Sequence, residues 1–399
     1  MSLDLAPPRA LPSSLPETEA PASGVRIFVL VDALGWRVLE GRAFLSDVLP
    51  HRQPLRTVLG YSSGAIPTLL TGMSPAEHGH WNLLYYDPVH SPFRWLRALR
   101  RLPRRVLDNR LARRALREVG RRILGLGPLF ECAVPPSLLP WFNWTEKRNI
   151  YARGGIGGGP SIFDRLAETG ADHRVYTYHE QTDAEILEAA RADVAARGKG
   201  FYFLYLSEVD RMLHHHVHDR AKVDETLRWY EGELRLLFET ARAADPDATF
   251  TLFSDHGMAP VREHYPLVEK IEALGFEMPA QYLAAYDSTM ARFWFFDEAA
   301  RRATVALLES VPCGRVLSDG ELQHLGVLFP DRRYGEVILL LHPGWLLSGS
   351  RFNGSWSPAG MHGYHPDDPD SDGVFLSDRR PPVPVRGLAD VHGCMSHAT

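Results

Sequence analysis

The chain predicts an α/β fold in which a largely parallel sheet is flanked by helices. Three observations carry that expectation. Residues 25–31, 201–206 and 249–253 are short, nearly unbroken apolar runs, as strands buried on both faces require. Longer segments with helical spacing lie between them, so strand and helix alternate. Acids and histidines follow the runs: Asp32 the first, Asp210 and His214 the second, Asp255 and His256 the third. The carboxyl ends of strands are where an open α/β sheet binds its ligands.

Taken in order, residues 1–24 are rich in Pro, Ala, Ser and Glu and read as a disordered tail. A first core segment, 25–90, holds the opening strand and an amphipathic helix from Trp36 to before Pro50. It continues with a short strand at 55–59 and a helix at 65–71, with Pro67 in the first turn of that helix. Residues 91–160 change character and read as a helical cap inserted over the sheet. Arg94, Arg97, Arg100, Arg101, Arg104, Arg105, Arg110, Arg113, Arg114, Arg117, Arg121 and Arg122 face only Asp108 and Glu118 there. Leu107, Leu111, Ala115, Val119 and Ile123 recur every four residues, like one helix face. An aromatic stretch from Leu129 to Trp144 follows, then the glycine run 154–159, read as a hinge because it lacks the Lys-Ser/Thr of a P-loop.

The second core segment, 161–270, alternates again: helix 162–168, strand 173–178, helix 183–196, strand 201–206, helix 223–244, strand 249–253. Residues 271–350 read as a smaller α+β subdomain with strands at 293–296 and 337–341. Residues 351–399 return to the core through a strand at 374–376.

Composition narrows the class. The chain has 399 residues, 45% hydrophobic and 23% charged, enough for a large core. A net charge of −5 predicts no affinity for nucleic-acid polymers. Three cysteines, Cys132, Cys313 and Cys394, make no disulfide framework and no zinc-finger spacing. With no signal-peptide pattern and no run of about 18 apolar residues, a cytoplasmic location is expected.

The scattered acids and histidines fit two divalent cations, each of which takes imidazole nitrogen and carboxylate oxygen. Asp32, Asp255 and His256 form one group; Asp210, His214 and His362 form the other. Asp210 and His214 lie one helical turn apart. Gly257 permits a turn after Asp255-His256. His365 competes with His362, and the pair Ser62-Ser63 offers a nucleophile. Singly, each acid has a plainer reading as a helix N-cap, and His215, His216 and His218 read as solvated helix residues.

Five segments together resemble the type I phosphodiesterase/nucleotide pyrophosphatase branch of the alkaline phosphatase superfamily. They are Val-Asp-Ala-Leu-Gly-Trp (31–36), Pro-Thr-Leu-Leu-Thr-Gly-Met-Ser-Pro-Ala-Glu-His-Gly (67–79), Leu-Ser-Glu-Val-Asp-Arg-Met-Leu-His (206–214), Ser-Asp-His-Gly-Met (254–258) and His-Gly-Tyr (362–364). The resemblance implies an alkaline phosphatase-like core and two metal ions, zinc or alternatively manganese. It implies that Asp32, Asp255, His256 and Ser62 bind one ion, and that Asp210, His214 and His362 bind the other. Ser62 would be the nucleophile, with Ser63 as the alternative because Ser-Gly-Ala-Ile-Pro replaces the usual Phe-Pro-Asn. Asn82 would contact the phosphoryl oxygens. The implied substrate is a phosphate-ester small molecule or nucleotide, hydrolysed through a phosphoseryl intermediate.

Rival expectations are a phosphomonoesterase, a C–P bond hydrolase of the same superfamily, and a non-catalytic binding protein acting through its basic cap. The basic segment 94–122 has three readings: a solvated helix face, a steering surface for anionic substrate, and a contact for anionic lipid that would make the protein peripheral to a membrane.

Overall fold

The computed structural model describes residues 24–99, 108–124, 134–179, 181–349 and 357–399. Most of the expected tail therefore lies outside the described residues. So do Arg100, Arg101, Arg104, Arg105, Leu107, Leu129 and Cys132, and the side chains of Arg110, Arg113, Arg117 and Arg121.

A six-stranded sheet organises the molecule, in the order His51–Leu55, Gly373–Ser377, Thr249–Phe253, Val25–Val31, Gly200–Leu206, His173–Thr177. The last four strands are mutually parallel; Gly373–Ser377 runs antiparallel to both of its neighbours, so the edge strand His51–Leu55 points the same way as the four. Both faces are covered, which is why the strands read as continuous apolar runs. Along the central strand Val25, Ile27, Val29 and Val31 enter one core, with helices Asp183–Arg197, Glu208–His216 and Arg220–Ala244. Phe28 and Leu30 enter the other, with Ser62–Thr71, Ile162–Thr169 and Leu388–Ser396. Each fully buried Val or Leu here contributes about 1.5–3 kcal/mol.

A second, antiparallel sheet runs Tyr282–Tyr286, Met290–Phe295, Val337–Leu341, Gly314–Val316. Part of it meets the loop that precedes the Ser62 helix: Met290, Ile338 and Leu340 pack with Leu59, Tyr61 and Trp81. Arg292, fully buried, pins this junction. It donates to Asp287 through Nε at 2.7 Å, and to the backbone carbonyls of Leu84 and Tyr334.

Several local expectations are corrected. Only Trp36–Leu39 is helical before Pro50, because Gly41 and Leu45 both take positive φ and break the helix. The strand expected at 55–59 lies at His51–Leu55, an edge position that tolerates Pro54. The helix expected at 65–71 begins at Ser62, so Pro67 sits inside it and Ser63 lies in its first turn. In the basic helix Arg110–Arg122, Leu116 is buried while Leu111 is 80% and Ile123 76% exposed. The contacting face is therefore offset from the apolar stripe read in the sequence. The glycines at 155 and 158 serve close packing: a Cβ on Gly158 would lie 2.4 Å from the His78 Cα, and one on Gly155 2.2 Å from the Asn149 carbonyl.

Candidate active site

Strand register brings the acids together. Continuing two residues past the pair Leu30–Phe253 sets Asp32 beside Asp255. The Asp32 N–H bonds the Leu206 carbonyl at 2.9 Å, tying the same point to the strand that leads into Asp210. Ala33, at φ +58°, turns its N–H back to Asp255 Oδ1 at 3.3 Å, a conformation that costs a non-glycine residue about 1–3 kcal/mol. Gly257 is needed for a different reason from the turn expected of it. Its φ is not left-handed, but a Cβ there would meet the Asp370 carbonyl at 2.3 Å.

His256 lies at the centre. Its Nδ1 sits 3.0 Å from the Gly257 carbonyl, which can only accept, so Nδ1 carries the proton and Nε2 presents its lone pair. That Nε2 is 3.1 Å from Ser62 Oγ, 3.2 Å from Asp255 Oδ2 and 3.5 Å from Asp32 Oδ1. His214 repeats the arrangement. Its Nδ1 donates to the Gly360 carbonyl at 2.8 Å, and its Nε2 faces Asp210 Oδ1 at 3.3 Å. His362 stacks on His256 with ring centres 3.7 Å apart and reaches Asp210 Oδ1 at 3.7 Å. Burial and the two neighbouring histidines hold His362 well below its ordinary pKa, so it stays neutral.

These groups fit divalent cations. Asp32 Oδ1, Asp210 Oδ1 and Asp255 Oδ2 are buried with no hydrogen-bond donor, and two imidazole lone pairs point among them. Negative oxygens and lone pairs at such distances repel unless positive charge lies between them. Burial first, then the charges of Asp255 and Asp210, raise the Asp32 pKa well above its usual value; burial raises Asp210. Among the described residues, two donor sets meet the spacing for an ion: Asp210, His214 and His362, and Asp32, Asp210 and His256. Asp210 thus faces both groups, an overlap the sequence grouping does not contain.

The alternatives left open in the sequence separate by position. Ser62 opens the helix Ser62–Thr71 with its Oγ toward His256, whereas Ser63 Oγ donates to the Trp81 carbonyl at 2.9 Å. His362 joins the cluster, while His365 lies against Glu321 and Asp367. His215, His216 and His218 are exposed. Asn82 is fully buried; among the described residues its amide reaches only Met290 Sδ, at 3.5 Å, and its Oδ1 has no donor.

Other residues hold the site without a sequence signal of their own. Tyr205 donates to Asp32 Oδ2 at 2.5 Å from the end of its strand. Thr289 Oγ1 bonds the Gly363 carbonyl and the Tyr61 hydroxyl, each at 2.9 Å, so one side chain of the second sheet joins the neighbours of His362 and Ser62. A tyrosine on a strand and a threonine in a hairpin turn are ordinary in sequence, and only these contacts distinguish them.

Comparison with known proteins follows the same lines. The solved structure of murine ectonucleotide pyrophosphatase/phosphodiesterase 5 superposes with a TM-score of 0.65 at 15% identity, covering 94% of each chain. An inactive variant of that murine protein, in complex with AMP, gives 0.63 at 15% identity over 94% of this chain and 95% of that one. Phosphonoacetate hydrolase from Sinorhizobium meliloti, in complex with phosphonoformate, gives 0.63 at 12% identity over 96% of this chain and all of the other. At these identities the likeness establishes a shared fold. No curated protein sequence matches. Family assignment comes from the sequence pattern itself: residues 61–365, which hold Ser62, Asp210, Asp255 and His362, match the model of type I phosphodiesterase/nucleotide pyrophosphatase, and the chain is a hydrolase belonging to that family.

Proposed function

We propose that the protein hydrolyses phosphate diesters through a covalent phosphoseryl intermediate on Ser62. The observation that carries this reading is Ser62 Oγ, at a helix start and 3.1 Å from His256 Nε2, beside three buried carboxylate oxygens that lack donors. In this reading Asp32, Asp255, His256 and Ser62 hold one divalent cation, and Asp210, His214 and His362 hold another. The ions are zinc, with manganese as the alternative. Bound there, they would supply the positive charge that acidifies the serine hydroxyl and offsets charge on the leaving oxygen.

The chain's own residues do the rest. No side chain caps the Ser62 helix; the Gly64 N–H bonds the Tyr61 carbonyl at 2.8 Å, and the positive dipole end at Ser62 would favour a phosphoryl anion. Ser62 Oγ forms a bond to phosphorus as the bond to the leaving oxygen breaks, and the proton that Ser62 gives up ends on that oxygen as the alcohol departs. Water then cleaves the Ser62 phosphoester, releasing a phosphomonoester and restoring the hydroxyl. Asn82, beside the Trp81 carbonyl that holds Ser63, would orient a phosphoryl oxygen. Tyr205 and the Gly257 and Gly360 carbonyls fix the orientation of Asp32, His256 and His214.

Turnover of bis-p-nitrophenyl phosphate above p-nitrophenyl phosphate, lost with chelator and restored by zinc or manganese, is the expected result. Preference for the monoester overturns the diesterase reading. The structural likeness to phosphonoacetate hydrolase favours a second reading, C–P bond hydrolysis, and phosphate release from phosphonoacetate tests it. The exposed Leu111 and Ile123, beside exposed Arg114 and Arg122, keep an anionic-lipid contact within the proposal. Salt-sensitive co-sedimentation with phosphatidylserine vesicles is its check.

A further inference from the structure

The histidines of the cluster are not held alike. His256 and His214 each give Nδ1–H to a backbone carbonyl, those of Gly257 and Gly360. The Nδ1 of His362 is buried, and among the described residues nothing bonds it. Rings flank it instead. His256 stacks on His362 at 3.7 Å between centres, and Tyr61 meets it in a T-shaped contact at 5.6 Å.

Tyr61 and the backbone beside His362 are in turn gripped from the second sheet, by the turn between Tyr282–Tyr286 and Met290–Phe295. Thr289 is fully buried in that turn, and its Oγ1 donates to the Gly363 carbonyl at 2.9 Å. A hydroxyl has one proton to give, so in the 2.9 Å bond between Thr289 Oγ1 and the Tyr61 hydroxyl it is Tyr61 that donates. The Tyr61 oxygen accepts from the Thr289 N–H at 3.1 Å. Burial raises the Tyr61 pKa, which keeps its proton in place. The fit is close: Gly363 takes φ +89°, and a Cβ there would lie 2.7 Å from Tyr61 Cε1 and 3.0 Å from Thr289 Oγ1.

The turn itself is fixed. The Leu341 and Leu347 N–H groups bond the Thr289 and Ser288 carbonyls at 2.9 and 3.0 Å, and the Asp287 N–H bonds the Met290 carbonyl at 2.9 Å. Gly363 follows His362, and Tyr61 precedes Ser62. One hydroxyl therefore joins the residue after a candidate ligand to the residue before the candidate nucleophile.

We propose that Thr289 is a positioning residue for the reaction: through Tyr61 and the Gly363 carbonyl it sets the His362 imidazole and Ser62 relative to each other, the task that carbonyl anchors perform for His256 and His214. This rests on the two-ion reading above and gives the second sheet a part in the chemistry.

The test pairs zinc binding to chelator-treated protein, measured by competition with a chromophoric chelator, with turnover of bis-p-nitrophenyl phosphate by the zinc-reloaded protein. Thr289→Val keeps the shape of the side chain and removes the hydroxyl. The zinc step that His362→Ala abolishes should weaken about 10–100-fold in Thr289→Val, while the other step holds within about twofold. Its kcat should fall about tenfold or more with KM within about twofold of the wild type. Thr289→Ser, which keeps the hydroxyl, should recover most of both. Tyr61→Phe keeps the ring beside His362 and should weaken the same zinc step; combined with Thr289→Val it should add less than about twofold, because both remove one network. Melting curves verify folding, and Tyr61→Phe carries the comparison if Thr289→Val does not fold. Wild-type zinc affinity and kcat in the hydroxyl-free variants, or equal weakening of both zinc steps, overturns the positioning role and leaves the hydrolase reading standing. A wild-type protein that binds no zinc overturns the two-ion reading and this proposal with it.

Discussion

The carboxyl end of the main sheet and the segment 91–160 are held by different forces. At the sheet end, Asp32, Asp255, His256 and His362 are buried, and parallel register, a strained Ala33 and carbonyl-anchored imidazoles set their positions. In the segment, order comes from aromatic packing. Phe93 meets Trp144, Phe142 meets Trp294, and Arg97 lies over Trp141 while bonding the Pro88 and Pro140 carbonyls. Its basic helix contributes Leu116 to that packing and leaves Leu111, Arg114 and Arg122 in solvent. Groups that must share charge at close range sit where the backbone is over-determined. The short strands Leu84–Tyr86 and Phe142–Trp144 are held instead by aromatic packing against the second sheet.

Substitution can break this contrast. The largest effect is expected at the sheet end. Ser62→Ala should lower kcat on a phosphodiester by on the order of 10³-fold or more while the protein keeps its bound metal, measured by steady-state kinetics and elemental analysis. Near-normal turnover would move the chemistry away from Ser62. Next comes the second sheet, which ties the two regions together. Asp287→Ala leaves Arg292 buried and uncompensated, and should cost about 3–5 kcal/mol in urea unfolding. A loss below about 1 kcal/mol would mean that Arg292 finds water or another acceptor.

A smaller effect is expected from pH. Burial holds His78 at about 3, and His80 and His392 at about 4. Depressed imidazoles bind protons more weakly folded than unfolded, so stability is full above about 6.5 and declines as pH falls toward 3 to 4. At pH 5 each contributes a loss of up to about 2 kcal/mol. Thermal melts from pH 7.5 to 5 should show the decline, and His392→Gln should flatten it; an unchanged slope would exclude His392 as a source. The smallest effect is expected on the basic helix. Leu111→Ser should change stability by less than about 0.5 kcal/mol and leave kcat on a soluble diester unaltered. A larger destabilisation would show that Leu111 is covered in solution.

The legible parts of the molecule share one property: neighbours in sequence suffice to describe them. The run 249–253 is a strand because five successive residues can be buried on both faces, and its bounds agree with Thr249–Phe253. The acids after the runs could be read as a cluster because parallel strands end on the same edge of a sheet. The start of the Ser62 helix was less legible, since Pro67 suggests a beginning and only the fold shows two turns in which it lies inside. The face of the basic helix was misread because Leu111 and Leu116 are equally apolar, and only packing against the strands Leu84–Tyr86 and Phe142–Trp144 chooses between them.

The sequence by itself determined the α/β class, the family and the strand-end acids, because a buried parallel strand imposes its composition locally and carries the next residues to a common edge. The tertiary structure decided which of two equivalent side chains faces the cluster. Ser62 does so because Ser63 is held by the Trp81 carbonyl, and His362 because His365 is drawn to Glu321 and Asp367. It also decided that Tyr205 and Thr289 lie around the site. Each of those outcomes depends on a hydrogen bond, an ion pair or a desolvated charge between residues far apart in the chain, and such pairings arise only once the fold has closed around them.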